Sequence, residues 1–191
     1  MSMDNFDLKS YLINNPLLEE EGKLKLPSTY TPERDKEYLK IAQRQIQDYI
    51  EGGSEGDLDL YDTPITSLPD NLKVGGGLDL DNTPITTLPD NLKVGGSLWL
   101  ENTRITSLPN NLKVGGNIYL NRSQITSLPN NLEVGGFLGL ENTPITSLPN
   151  NLKVGGNLYL RNTPISEKYT EEEIRKMIEE KGGSVRGAIY L

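Results

Sequence analysis

A block of 20 residues recurs along this chain without a slip, and no other feature restricts the possible folds as tightly. LDLYDTPITSLPDNLKVGGG begins at Leu58, and matching copies begin at Leu78, Leu98, Ile118 and Leu138. A sixth copy opens as LYLRNTPIS at Leu158 and then diverges. A fixed period of this length means that each copy is one coil of a solenoid. A single coil has too few apolar side chains to offset its own ordering entropy, so the copies must stack.

Each element of the block has a physical reading. The L-x-L triplet alternates, turning two leucines inward and the middle residue outward. Stacked copies of the triplet form a parallel ladder. A small hydroxyl follows at Thr63, Thr83, Thr103, Ser123, Thr143 and Thr163, placed to hydrogen-bond backbone where the chain leaves the strand. Ile65 and Leu68 carry further apolar bulk, and Pro69 suits a tight helical turn. Leu72 and Val74 are the last inward residues, and Gly75-Gly76 offers positive φ for re-entry into the next strand.

An open stack exposes apolar rungs, so caps are expected at both ends. At the carboxy end, Thr170 and Glu173 frame a capping box. Ile174, Met177 and Ile178 share the inner face of the helix that follows, Lys181-Gly182 stops it, and Ile189-x-Leu191 is a final strand. At the amino end, Leu24-x-Leu26 reads as a first strand and Thr31-Pro32 starts a helix with Leu39, Ala42, Ile46 and Ile50 inside. The expected divisions are a leader or docking segment at 1–22, a strand–helix cap at 23–56, the array at 57–165 and a helix–strand cap at 166–191. The expected class is α/β: a leucine-rich-repeat parallel-strand solenoid of eight rungs with helical caps at both ends. Residues 4–20 read either as a plug over the first rung or as a docking peptide that orders on a partner.

Composition narrows the function. The chain has 191 residues, no cysteine, no histidine and a formal charge of −8. Thiolate chemistry and imidazole general bases are thereby excluded. An acidic chain of this kind is expected to bind neither nucleic acid nor a membrane surface. The amino terminus lacks the pattern of a secretory signal peptide, and no run is long enough to span a bilayer. The expected location is the cytoplasm of a bacterium or infected cell, with virion association as a further possibility.

The ITSLPxNLxV stretch and the L-x-L strand resemble bacterial leucine-rich repeats of the short 20-residue period, including enterobacterial effectors delivered into host cells. Similar GG-L-x-L…T-x-I-T-x-LP arrays occur in proteins of tailed bacteriophages and gut bacteria. The resemblance covers residues 58–165 and implies a binding face on the strand side. The effector repeat has asparagine where this chain has Thr63 and its equivalents. The effector ubiquitin ligases also need a catalytic domain with a cysteine nucleophile, which this chain lacks, so that activity is not carried over.

The outward strand positions vary while the inward ones hardly do. The middle column reads Asp59, Asp79, Trp99, Tyr119, Gly139 and Tyr159. The column before it includes Phe137, and the one after it includes Tyr61, Asp81, Glu101 and Arg161. Stacked Trp99, Tyr119 and Phe137 read as an exposed binding patch, or as residues that simply suit neighbouring strands. Residues 57–92 hold seven aspartates and one lysine, whereas 93–162 hold three glutamates and six lysines or arginines. Such an acidic start suits a partner with a basic patch, and also suits plain solvation.

The expected function is a non-enzymatic protein-binding module with no cofactor and no metal. Its candidate partner-binding residues are Asp59, Tyr61, Asp79, Asp81, Trp99, Glu101, Tyr119, Phe137, Tyr159 and Arg161. Asp59 and Asp79 have a carboxylate pair's spacing but no cleft, and the aspartates match no calcium loop. The alternatives are an assembly component of a bacteriophage particle and, further off, a glycan binder. Homo-oligomers through the solenoid ends are a further expectation, because Ile189–Leu191 is an edge strand.

Overall fold

A computed structural model describes residues 32–110 and 112–191, with side chains from residue 36 onward. The chain divides into two units, Met1–Glu37 and Tyr38–Leu191, and the second holds the repeats. The expected Leu24-x-Leu26 strand, the leader 1–22 and the Thr31 helix start lie outside the described residues.

The repeats form a parallel β-solenoid with two sheets. The first contains β1 (Leu58–Asp59), β3 (Leu78–Asp79), β5 (Leu98–Trp99), β7 (Ile118–Tyr119), β9 (Leu138–Gly139), β11 (Leu158–Tyr159) and β13 (Ile189–Tyr190), in that order. These are seven of the eight expected rungs. The second sheet contains β2 (Lys73–Val74), β4 (Lys93–Val94), β6 (Lys113–Val114), β8 (Glu133–Val134), β10 (Lys153–Val154) and β12 (Ser184–Val185). Pairing is in register throughout, as in Leu58↔Leu78 and Lys73↔Lys93. The inward leucines, isoleucines and valines of every coil join one buried core.

The second sheet was not expected. Leu72 and Val74 point inward as the alternation requires, but the Lys-Val pair between them and the glycines is itself a strand. The tight helical turn expected after Pro69 is not formed; residues 63–69 run without regular structure to a turn at 70–71. Among the described residues, the five full repeats therefore carry strands on both sides and no helix.

The glycine pairs also do something other than expected. Their φ values are not positive in the repeats; among glycines, positive φ occurs at Gly53, Gly56 and Gly182. Instead the coils approach one another closely there. Gly96 N–H donates to Gly76 O at 2.7 Å, and Gly116 N–H to Gly96 O at 2.8 Å. A Cβ on Gly115 would collide with the Gly95 carbonyl oxygen. In the repeats the left-handed backbone falls mostly on asparagine, with Asp62 in the first copy; these are the non-glycine residues that best tolerate it. Asn71, Asn91, Asn131 and Asn151 take it on one turn, and Asn82, Asn102, Asn142 and Asn162 on the other. Their amides stack into ladders, as in Asn102 Nδ2 donating to Asn82 Oδ1 at 3.0 Å.

The hydroxyl column behaves as expected. Thr83, Thr103, Thr143 and Thr163 are buried, and each Oγ1 donates to the leucine carbonyl three residues back at 2.6–2.7 Å.

Helix α1 (Pro32–Glu51) places Ala42 and Ile46 in the core. Ile50 is 39% exposed, contrary to expectation, and Tyr49 packs in its place. The Tyr49 hydroxyl lies 2.8 and 2.9 Å from the Ser54 and Gly56 carbonyls and accepts from Gly75 N–H at 3.1 Å. At the other end, Thr163 N-caps a short unexpected helix, α2 (Pro164–Lys168). The expected capping box at Thr170 and Glu173 then opens α3 (Glu171–Glu180), which buries Ile174 and Ile178 and ends before left-handed Gly182. Arg175 of α3 donates to the Val185 and Gly187 carbonyls at 3.0 Å each.

The copy at Arg122-Ser123-Gln124 breaks two of these rules. Arg122 is left-handed without being asparagine, and Ser123 Oγ is buried with no hydrogen-bond partner. The double substitution Arg122→Asn/Ser123→Thr is expected to raise unfolding free energy by about 1–2 kcal/mol, measured by urea denaturation. Gly115→Ala should act in the opposite sense, lowering it by at least about 1–3 kcal/mol through the carbonyl collision.

Candidate functional site

The outward face of the first sheet gathers most of the candidate residues into two neighbouring clusters. The register places Asp79 beside Trp99 and Trp99 beside Tyr119. The aromatic and acidic clusters therefore meet between β3 and β5.

The aromatic cluster is a continuous spine. Trp99 and Tyr119 stack with centroids 5.5 Å apart and planes 12° apart. Phe137 meets Tyr119 edge-on at 4.8 Å and Tyr159 edge-on at 5.5 Å. Phe137 thus carries the spine across the β9 coil, whose middle position is Gly139. Tyr159 then stacks on Tyr190 at 4.8 Å and 10°. Tyr190 is missing from the sequence-derived set, although the Ile189-x-Leu191 register marks it as a middle residue. Spacings of 4.5–7 Å are the favourable range for such pairs.

Trp99 lies outside the core, half-buried. One side of its indole faces Gly77, where an added Cβ would come within 2.6 Å of Cζ3, and the other faces Tyr119. Trp99 and Tyr119, and likewise Tyr159 and Tyr190, each cover one ring face of the other.

The acidic cluster spans the first three coils: Asp57, Asp59, Asp79, Asp81 and Glu101, with Tyr61 beside them and 55% exposed. Several of these oxygens hold backbone. Asp59 Oδ1 accepts from Tyr61 N–H at 3.0 Å and Asp79 Oδ1 from Asp81 N–H at 2.9 Å. Asp57 and Asp81 reach the next coil, accepting from Gly77 N–H and Glu101 N–H at 2.6 Å each. Asn121 does the equivalent work further along, accepting from Glu141 N–H at 2.9 Å while its amide donates to Glu101 at 2.7 Å. Part of the outward variation is therefore structural: Asp, Ser and Asn recur there because a short acceptor suits the adjoining N–H. Arg161 stands apart on β11's coil, 3.9 Å from Glu141.

Crowding shifts two of the aspartates. Burial pushes Asp81 up to about 6, against the N–H bond from Glu101, with Asp79 and Glu101 adding repulsion. Asp79 is raised for the same leading reason, with Asp59 repelling it. Among the described residues, no three acidic side chains are arranged to hold a metal ion. No described helix is long and apolar enough to cross a membrane.

A carboxyl with a raised folded pKa contributes stability below its unfolded value and loses it as pH rises through the folded one. For Asp81 that window runs from the ordinary 3.8 to about 6. Asp81→Asn keeps the acceptor and removes the charge. It should raise stability at pH 7 by about 1 kcal/mol after allowance for solvent screening. It should also flatten the stability profile between pH 4 and 6, as followed by thermal unfolding across that range.

No protein-family model matches the chain, and no curated protein matches it in sequence.

Proposed function

We propose that this chain is a non-enzymatic recognition module of the leucine-rich-repeat type, binding a protein partner on the outward face of the first sheet. One observation carries the reading. The inward column is uniform from coil to coil, whereas the outward column changes abruptly from carboxylates to a line of half-buried aromatics. An amphipathic line of Trp and Tyr beside a charged patch is what protein interfaces favour at their centres. The early carboxylates suit a partner surface with basic residues, and they argue against nucleic acid or an anionic membrane. In the same reading α1 and α3 serve as caps, since each buries an apolar stripe against the array.

Stacking of Trp99 on Tyr119 and of Tyr159 on Tyr190 takes one open face from each ring, which weighs against the glycan reading, because sugars stack on open aromatic faces. An assembly role, in a phage particle or elsewhere, remains the alternative that the bacterial and phage resemblance suggests, and it would use the solenoid ends.

The test is Trp99→Ala/Tyr119→Ala. Loss of the stacked pair should cost about 1–3 kcal/mol of stability and leave the circular dichroism spectrum intact. Capture of the partner from native lysate should fall at least about tenfold. Undiminished capture by the folded double variant would move binding off this face.

A further inference from the structure

The second sheet carries an outward column that the proposed function does not use. Lys73, Lys93 and Lys113 sit at the same position of β2, β4 and β6, exposed and in register. The run ends at Glu133, whose carboxylate takes Lys153 Nζ at 2.7 Å. Among the described residues Lys73 and Lys93 form no ion pair, although Asp70 and Asp90 lie three residues ahead of them. Lys113 has only the neighbourhood of Glu133. Three ammonium groups thus repeat at the coil spacing of about 4.8 Å, and the first two have no ion-pair partner among the described residues.

We infer that this lysine column docks on the acidic coils of a second copy of the same chain. The inference rests on the reading above, that the early coils of the first sheet take a basic surface, and it names that surface. The spacing is what selects the occupant. The carboxylates of Asp59 and Asp79 are in register on consecutive coils, and those of Asp81 and Glu101 are so two residues along, so each pair repeats at the same interval as the lysines. An extended acidic peptide presents same-side residues about 6.6 Å apart and does not match that interval. A long polyanion meets the chain's net charge of −8. A stacked-sheet face keeps step, and this chain possesses one. The two columns lie on separate sheets, so the contact joins unlike faces and is head-to-tail.

The experiment is sedimentation velocity on the full chain in about 0.1 M salt, where the Debye length is about 10 Å, and again in about 1 M. Two variants are compared: Lys73→Glu/Lys93→Glu/Lys113→Glu, and Asp59→Asn/Asp79→Asn/Asp81→Asn/Glu101→Gln, which keeps the oxygen acceptors. The wild-type chain should associate in the lower salt and weaken at least about tenfold in the higher. Each variant alone should be monomeric. An equimolar mixture should form a dimer and nothing larger, since it contains one intact lysine face and one intact acidic face. Circular dichroism checks that both variants are folded. A monomeric wild-type chain, a lysine variant that associates normally, or a mixture that stays monomeric would overturn the inference. So would a wild-type chain that binds heparin through the lysines yet never self-associates. None of these results touches the lysate capture that tests the partner-binding reading.

Discussion

The close backbone approach between successive coils at the glycine columns is the constraint on which everything else depends. Hydrogen bonds of 2.7–2.8 Å from Gly96, Gly116, Gly136 and Gly156 to the glycine one coil earlier leave no room for a Cβ. A coil one residue longer or shorter would lose those bonds and slip both sheets at once. Bonds at the strand ends tie the coils together as well: Leu58 N–H donates to Gly77 O on the first sheet, and Gly95 N–H to Val74 O on the second. At the last coil of the second sheet Arg175 supplies two donors, to the Val185 and Gly187 carbonyls. A helix carrying an arginine at this position satisfies two carbonyls that have no further coil to bond.

With the inside fixed, freedom exists only on outward positions, and even there the backbone claims some of it. The column before the strand uses Asp57, Ser97, Asn117 and Asn157 as acceptors for the next coil's N–H. Gly77 makes way for the indole instead, and Phe137 fills the spine across the coil of Gly139. Aromatics stacked on adjacent rungs stiffen the sheet and simultaneously present their edges. Under the proposed function the same rings serve stability and recognition, which is why truncating them has to be read with a folding control.

The sequence made the fold legible where a residue type answers to one physical demand. The 20-residue period, the inward leucines, the hydroxyl column, the Thr170 capping box and the final strand at Ile189 could all be read directly, because alternation, capping and burial leave recognisable residue patterns. The second sheet was hidden, because Leu72-x-Val74 has a strand's alternation but stands between Pro69 and the glycine pair, which both read as turns. Glycine was misread because two properties of one residue, positive φ and a missing Cβ, look identical in a sequence; the asparagines that do adopt positive φ were in plain view. In the candidate site, the Trp99, Tyr119 and Phe137 column could be drawn from the register alone. Tyr190 needed the last coil to be aligned across an inserted helix. The ring-on-ring covering could not be foreseen, since it depends on side-chain rotamers rather than on position.

The acidic coils raise a question that the fold does not answer. Holding the adjoining N–H requires an oxygen, and Asn121 shows that an amide suffices at the position where Asp81 stands two coils earlier. Aspartate there brings burial and repulsion that push its carboxyl up to about 6. Aspartate is the acceptor at Asp57, Asp59 and Asp79 within two coils, whereas Asn117, Asn121 and Asn157 accept from backbone N–H in later ones. A structural requirement common to all coils does not distinguish the two residues, since either supplies the oxygen. Under the proposed function it is the charge of the early aspartates that is used, met by an opposite charge from outside the first sheet's own face.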